Sequence, residues 1–261
     1  MKPKKPISLL LFTSILMLVS IGCSTAVAEP TFTNTPRATA TSTLTPTQTP
    51  TATLTPRPTR TPNLTATQRS EEYNAEVQKY FDLGYLNTTE GRFIKYNDFN
   101  EEWAQLRWYQ WWSFDDKTSD FLMSAHFKWS SAYRNADVSG CGFVFAIQDN
   151  NDHFAVFLDR TQIRFLNADQ SDYTRRVGLT RGTGRVNFNN PADQPAEADF
   201  TVIVKGTYVY VLVNGEVVGE YTLSQSRILE GNLGLSLLSG TNKDFGTRCE
   251  MTNVHAWIPN Q

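Results

Sequence analysis

Thr207-Tyr-Val-Tyr-Val-Leu-Val213 runs into Asn214-Gly215 and then Glu216-Val-Val-Gly-Glu-Tyr221. The two central positions of a two-residue hairpin need positive φ, which Asn and Gly tolerate, so this stretch predicts a type I′ β-hairpin. Further out, Phe121, Met123, Ala125, Phe127 and Trp129 fall on one face of 120–130, with Ser124, His126, Lys128 and Ser130 on the other. That alternation predicts a strand with one core face and one wet face. In 142–158 both faces are apolar, Phe143, Phe145 and Ile147 against Val144 and Ala146, as expected of a strand covered on both sides. Strands are expected over 92–96, 106–114, 120–130, 142–148, 153–159, 162–166, 200–205, 208–213, 217–223, 233–238 and 249–258. Their number and spacing predict an all-β fold, a two-sheet antiparallel β-sandwich of the jelly-roll kind, filling 70–261 as one domain.

Upstream, Ser70 is a candidate N-cap, Glu71 and Glu72 suit a first turn, and Tyr73, Val77, Tyr80 and Phe81 recur at spacings of three and four. A short amphipathic helix over 70–81 follows from that spacing, ending at Gly84. From Pro30 to Thr67 the chain is almost wholly Thr, Pro, Ala and Ser, with too few large apolar side chains to bury a core. The 23–69 segment therefore reads as a disordered Thr/Pro-rich stalk, able to reach on the order of 100 Å if it takes the polyproline II rise.

Met1 to Pro6 carries Lys2, Lys4 and Lys5 and no acid, and an apolar run over 7–21 follows. The run is shorter than the roughly 20 residues a membrane-spanning helix needs, so 1–22 reads as a cleaved signal peptide. Ser20-Ile21-Gly22-Cys23 resembles the lipobox of bacterial lipoproteins, with Ser20 where Leu is usual. The resemblance implies lipidation at Cys23 (palmitate-bearing), a membrane anchor and a location in the cell envelope outside the cytoplasmic membrane. Ordinary cleavage near Ala26-Val27-Ala28 is the alternative. With Cys23 acylated, Cys141 and Cys249 remain as an even pair in an oxidising compartment, which predicts a disulfide bond; two buried free thiols are the other reading.

Residues 70–261 hold 17 basic and 25 acidic side chains, a net charge of −8. Nucleic-acid binding needs a basic surface to displace counterions from phosphates, so a nucleic-acid partner is not expected.

Three stretches, 141–159 beginning Cys-Gly-Phe-Val-Phe-Ala-Ile, 200–215 ending Val-Asn-Gly, and 231–238 reading Gly-Asn-Leu-Gly-Leu-Ser-Leu-Leu, resemble the concanavalin A-like lectin and glucanase superfamily, laminin G-like domains included. The resemblance covers about 91–259 and implies two antiparallel sheets, a face that often binds carbohydrate and, in some branches, a glycoside hydrolase site. Those hydrolases carry a Glu-x-Asp-x-x-Glu-like strand motif. It is absent here, and the densest acids, Asp115-Asp116, Asp149 with Asp152 and Glu101-Glu102, sit in turn-like surroundings. An extracellular, non-catalytic carbohydrate-binding module is the leading expectation. A hydrolase-like enzyme of the same superfamily and a protein-interaction domain are the alternatives.

Arg107-Trp-Tyr-Gln-Trp-Trp112 is aromatic on both faces, Trp108 and Trp112 opposing Tyr109 and Trp111. If one face is core, the other offers rings on which the C–H face of a sugar can stack, with Arg107 and Gln110 for its hydroxyls. Arg107, Tyr109 and Trp111 are the candidate carbohydrate-binding residues; the alternative buries both faces, the second beneath the 70–81 helix. Asp149-Asn-Asn-Asp152 supplies oxygen ligands of the kind calcium takes, and laminin G-like domains often bind calcium at a sandwich rim, but the same residues are what a hairpin turn wants. No zinc spacing occurs, and no nucleophile neighbours His126, His153 or His255, which read as ordinary sheet histidines.

Overall fold

The structure, a computed structural model, describes residues 64–132, 138–169, 172–188 and 194–260; of 64–67, 172 and 173 only the backbone is described. Cys23, the apolar run over 7–21 and the stalk up to residue 63 lie outside the described residues. Among the described residues no helix is long and apolar enough to cross a membrane.

One helix and fourteen strands follow in chain order: α1 (Leu64–Asp82), β1 (Gly91–Lys95), β2 (Phe99–Trp103), β3 (Trp108–Thr118), β4 (Phe121–Ser131), β5 (Gly140–Ile147), β6 (His153–Leu158), β7 (Ile163–Asp169), β8 (Asp172–Arg176), β9 (Leu179–Gly182), β10 (Ala196–Lys205), β11 (Tyr208–Val213), β12 (Glu216–Thr222), β13 (Gly231–Ser239) and β14 (Thr247–Pro259). They form two antiparallel sheets. One has eight strands in the order β1-β14-β4-β10-β11-β12-β9, with β2 also on β14; the other has six, β3-β13-β5-β6-β7-β8.

The 207–221 hairpin forms as its sequence predicts. Asn214 and Gly215 take φ of 52° and 78°, and Val213 pairs with Glu216 across the two-residue turn. The inward face of β4 interlocks with the opposite sheet: Phe127 meets Phe143 edge-on at 5.1 Å, and both lie near Phe200, at 4.9 and 5.5 Å. Cys141 of β5 and Cys249 of β14 are joined by a disulfide with 5.7 Å between their Cα atoms, so one covalent bond ties the six-stranded sheet to the eight-stranded one.

The helix departs from expectation at its start. It begins at Leu64, six residues before Ser70, because the last proline of the stalk is Pro62 and nothing after it forbids the helical turn. It stops at Gly84, at φ 78°, where the amides of Gly84 and Tyr85 donate back to the carbonyls of Phe81 and Tyr80 in a Schellman arrangement. Val77 and Tyr80 pack on Leu122, Ile203, Leu212 and Trp257, the outer face of the eight-stranded sheet. The helix therefore does not cover the aromatic strand β3, which belongs to the other sheet. It also half-buries the face of β4 expected to be wet, leaving Ser124 8% exposed.

In the loop-entropy description, closing 108 residues with the disulfide removes roughly 4 to 5 kcal/mol of unfolded-chain entropy. A Cys141→Ala/Cys249→Ala variant is expected to be less stable than the oxidised protein by about 2–5 kcal/mol in urea denaturation.

Candidate functional site

Ladder register fixes the floor of the site. Across the six-stranded sheet one row reads Trp111, Ser236, Gly142, Phe157, two small residues between two aromatic ones. A Cβ on Gly142 would lie 2.6 Å from the Phe157 ring, so the absence of a side chain there is what lets Phe157 lie down over the sheet. Into the trough comes Tyr109 from β3, edge-on to Phe157 at 5.2 Å and buried to 3% exposure. Val144, Ala155, Leu238 and Leu166 complete this second apolar layer on the outer side of the sheet.

At the edge of the layer lies a cavity of about 200 Å³, lined by Trp108, Tyr109, Trp111, the turn residues Asn150 to His153, Ala168 and Asp169. The two stretches singled out in the sequence, the aromatic strand and the Asp149–Asp152 turn, thus meet in one place. Two outcomes differ from expectation. Trp108, the first residue of β3 and directly after Arg107 at φ 56°, lies beside Tyr109 with ring centres 5.6 Å apart and lines the cavity; it does not share a face with Trp112, which packs against Phe99 and the core. Arg107 is exposed in the turn before β3 and does not line the cavity.

His153 holds the two halves together. Its Nδ1 lies 2.7 Å from the Asn151 carbonyl, to which it donates, and its Nε2 lies 2.8 Å from the Tyr109 hydroxyl. Burial pushes the imidazole below its ordinary value of 6.5, and burial pushes the Tyr109 phenol upward. Both groups are therefore neutral at pH 7, with Tyr109 donating to Nε2. The Trp111 ring lies 4.6 Å from the imidazole and leaves Trp111 half-buried, while Trp108 is 37% exposed.

Charge enters from a third element. Arg227, in the loop before β13, reaches both Asp152 at 3.6 Å and Asp169 at 3.5 Å, and donates to the Ala168 carbonyl at 3.2 Å. A second cavity, about 390 Å³, adjoins through the shared residues Asn150 and Asp152 and includes Asp149, Arg227 and the 67%-exposed Ile228. The Asp149–Asp152 loop itself is a tight hairpin: Asn151 takes φ 67°, its amide donates to the Gln148 carbonyl, and Asn150 Oδ1 accepts the Asp152 amide at 3.0 Å. Among the described residues no group of three or more His, Cys, Asp or Glu is arranged to hold a metal.

His153, Asp169 and Arg227 belong to the site without having been picked out by sequence. His153 directly follows the turn, which was a usable signal. Asp169 and Arg227 carry no motif and reach the site only through strand order. Of the other histidines, His126 faces Asp199 at 2.8 Å and His255 faces Glu76 of α1 at 3.0 Å, both on the eight-stranded sheet.

The described chain is thus a two-sheet β-sandwich with an aromatic, ion-paired cavity on the outside of its smaller sheet. No family model matches it, and no curated protein does. Among solved structures, a carbohydrate binding module from Bacillus subtilis aligns with a TM-score of 0.43 at 10% identity, over 62% of this chain and 92% of that one. A fructosyltransferase from A. japonicus aligns with a TM-score of 0.42 at 15% identity over 66% of this chain, which spans only 27% of that protein. A Crh5 transglycosylase gives 0.42 at 12% identity, over 66% and 79%. At such scores and identities the likeness carries nothing about chemistry.

The depressed His153 fixes a sign for pH dependence. The unfolded imidazole takes up a proton as pH falls through 6.5 while the buried one does not, so this contribution to stability is complete above 6.5 and is lost below it. The melting temperature is expected to fall between pH 7.5 and pH 5, and His153→Gln is expected to flatten that fall; an equal fall in both proteins would contradict the assignment.

Proposed function

We infer that the domain is a non-catalytic carbohydrate-binding module, displayed outside the cytoplasmic membrane on a stalk anchored through a lipid at Cys23. The observation that carries the binding half is the pairing of two accessible tryptophans, Trp108 and Trp111, with the ion-paired carboxylates Asp152 and Asp169 in one cavity. An aromatic face takes up the C–H face of a sugar ring, while hydroxyls need fixed acceptors and donors around the ring edge. Asp152, Asp169 and Asn150 are the acceptors, and Arg227 holds the two carboxylates in place. Neutral His153 keeps Trp111 seated without adding a cation that would need its own counter-charge.

A hydrolase needs one carboxylic acid that gives up a proton to the leaving group. Here both cavity carboxylates are engaged with a guanidinium, which suits them to accept hydrogen bonds rather than donate protons. Calcium is not required in this reading, because Arg227 already supplies the positive charge facing Asp152.

The anchoring half rests on the lipobox-like Ser20-Ile21-Gly22-Cys23. Palmitate labelling of the expressed protein, lost in Cys23→Ser, is its test; equal labelling of both would overturn it.

Screened on a glycan array, the full-length protein is expected to bind a neutral glycan equally with calcium or with chelator, and to leave it chemically intact. Trp111→Ala is expected to weaken that binding by about tenfold or more, the loss of roughly 1.4 kcal/mol of ring contact. Binding unchanged by Trp111→Ala, or no glycan bound, would overturn the reading.

A further inference from the structure

Within the acidic 70–261 segment, arginine is not scattered: six of its 17 basic residues, Arg160, Arg164, Arg175, Arg176, Arg181 and Arg185, fall within 26 residues. The fold explains why they matter together. After β8, the edge of the six-stranded sheet, the chain crosses at Val177 and Gly178 to β9, the edge of the eight-stranded one, and returns past Gly184. Backbone bonds from Ile163 to the Gly184 carbonyl, at 2.8 Å, and from Val186 to the Thr161 carbonyl, at 3.0 Å, staple the returning segment to the sandwich. Between the two edges is a cavity of about 380 Å³ whose lining includes Arg164, Arg176 and Arg185 and no carboxylate.

The three guanidinium groups are held differently. Arg164 is 17% exposed and is clamped by the fully buried Asp159 behind it, which also accepts the amides of Thr161 and Gln162 at 2.7 Å each. Arg176 and Arg185 are exposed and make no ion pair with any described residue; nearby, Arg181 reaches Glu220 only at 3.9 Å. On the cavity wall, the Tyr221 ring sits edge-on to Phe165 at 4.9 Å, over Gly219, where a Cβ would lie 2.8 Å from that ring. Tyr221 is 4% exposed, and its hydroxyl lies beside Gly184, where a Cβ would come within 3.4 Å of it. Burial pushes this phenol up to about 12, so it is a donor throughout the physiological range.

We propose that this groove between the sheet edges is a second binding site, distinct from the tryptophan cavity, and that it takes an acidic saccharide through Arg176, Arg185 and the Tyr221 hydroxyl. Paired guanidinium groups bind carboxylates by charge-assisted hydrogen bonds, and an aromatic and aliphatic wall of Phe165, Leu179 and Tyr221 gives a sugar ring a dry face. The anionic half of the proposal stands on the arginines alone, whereas the saccharide half rests on the carbohydrate-binding reading above. The groove supplies local positive charge that the net charge of −8 conceals.

The test is calorimetric titration of the full-length protein with oligogalacturonate, its fully methyl-esterified form and polyaspartate. Oligogalacturonate is expected to bind, the esterified form to bind at least about tenfold more weakly, and polyaspartate likewise. Arg176→Ala/Arg185→Ala is expected to weaken oligogalacturonate binding by about tenfold or more, Arg176→Lys/Arg185→Lys to recover part of it, and Trp111→Ala to leave it unchanged. Equal binding by the arginine-to-alanine variant would overturn the site, and equal binding of the esterified form would overturn its charge selectivity. Polyaspartate bound as tightly as the sugar would overturn the saccharide. Loss of binding in Trp111→Ala alone would move the ligand to the tryptophan cavity, sinking this proposal and leaving the first intact.

Discussion

Strand β5 has no side that faces water, and both the core and the site are built around it. Cys141, Phe143 and Phe145 point inward, one bonded to β14 and the others set among Phe127, Phe200 and Phe154. On the outer side, Gly142 and Val144 lie beneath Phe157 and beside Ala155. A strand buried on both faces cannot slip in register, because a shift of one residue would drive Cys141 outward and put Gly142 where the disulfide must form. The same register sets Trp111 and Phe157 at opposite ends of a row of small residues, so the shape of the tryptophan cavity follows from the packing of the core.

The charges of the site are organised to leave its aromatic floor uncharged. His153 and Tyr109 are kept neutral by burial and satisfy one another, and Arg227 sits between the two carboxylates at the rim. At the far edge of the same sheet, Arg176 and Arg185, with no carboxylate in the lining, flank the groove between β8 and β9. The strand order places the aromatic cavity near β3 and β6 and the arginine groove beyond β7, where the edge of the small sheet meets that of the large one.

Much of this was readable in the sequence because it depends on local rules. Asn214-Gly215 fixed its hairpin, alternation fixed β4, and two-sided apolarity marked β5. Strands β2, β8 and β9 were not foreseen, and their residues show why. Phe99-Asn-Glu-Glu-Trp103 has a polar centre, β9 is exposed at all four positions, and β8 reads Asp-Tyr-Thr-Arg-Arg. Such edge strands are held by their ladders and need no hydrophobic face. For the site, Tyr109 and Trp111 were legible as a doubly aromatic strand. Arg227 and Asp169 were not, since 58 residues separate them and only the return of the chain into β13 brings them together. The helix was legible as a helix, but the sheet it covers depended on topology.

The central claim is that sugar binds on the outer face of the six-stranded sheet, and the six tryptophans report on it separately. Indole N–H resonances of the full-length protein would be followed by NMR during titration with mixed neutral gluco-, manno-, galacto- and xylo-oligosaccharides. The account predicts that Trp108 and Trp111 shift while Trp112, Trp129 and Trp257, packed in the apolar clusters, stay in place. Shifts confined to any of those three packed rings, or no indole shift in the presence of bound sugar, would contradict it.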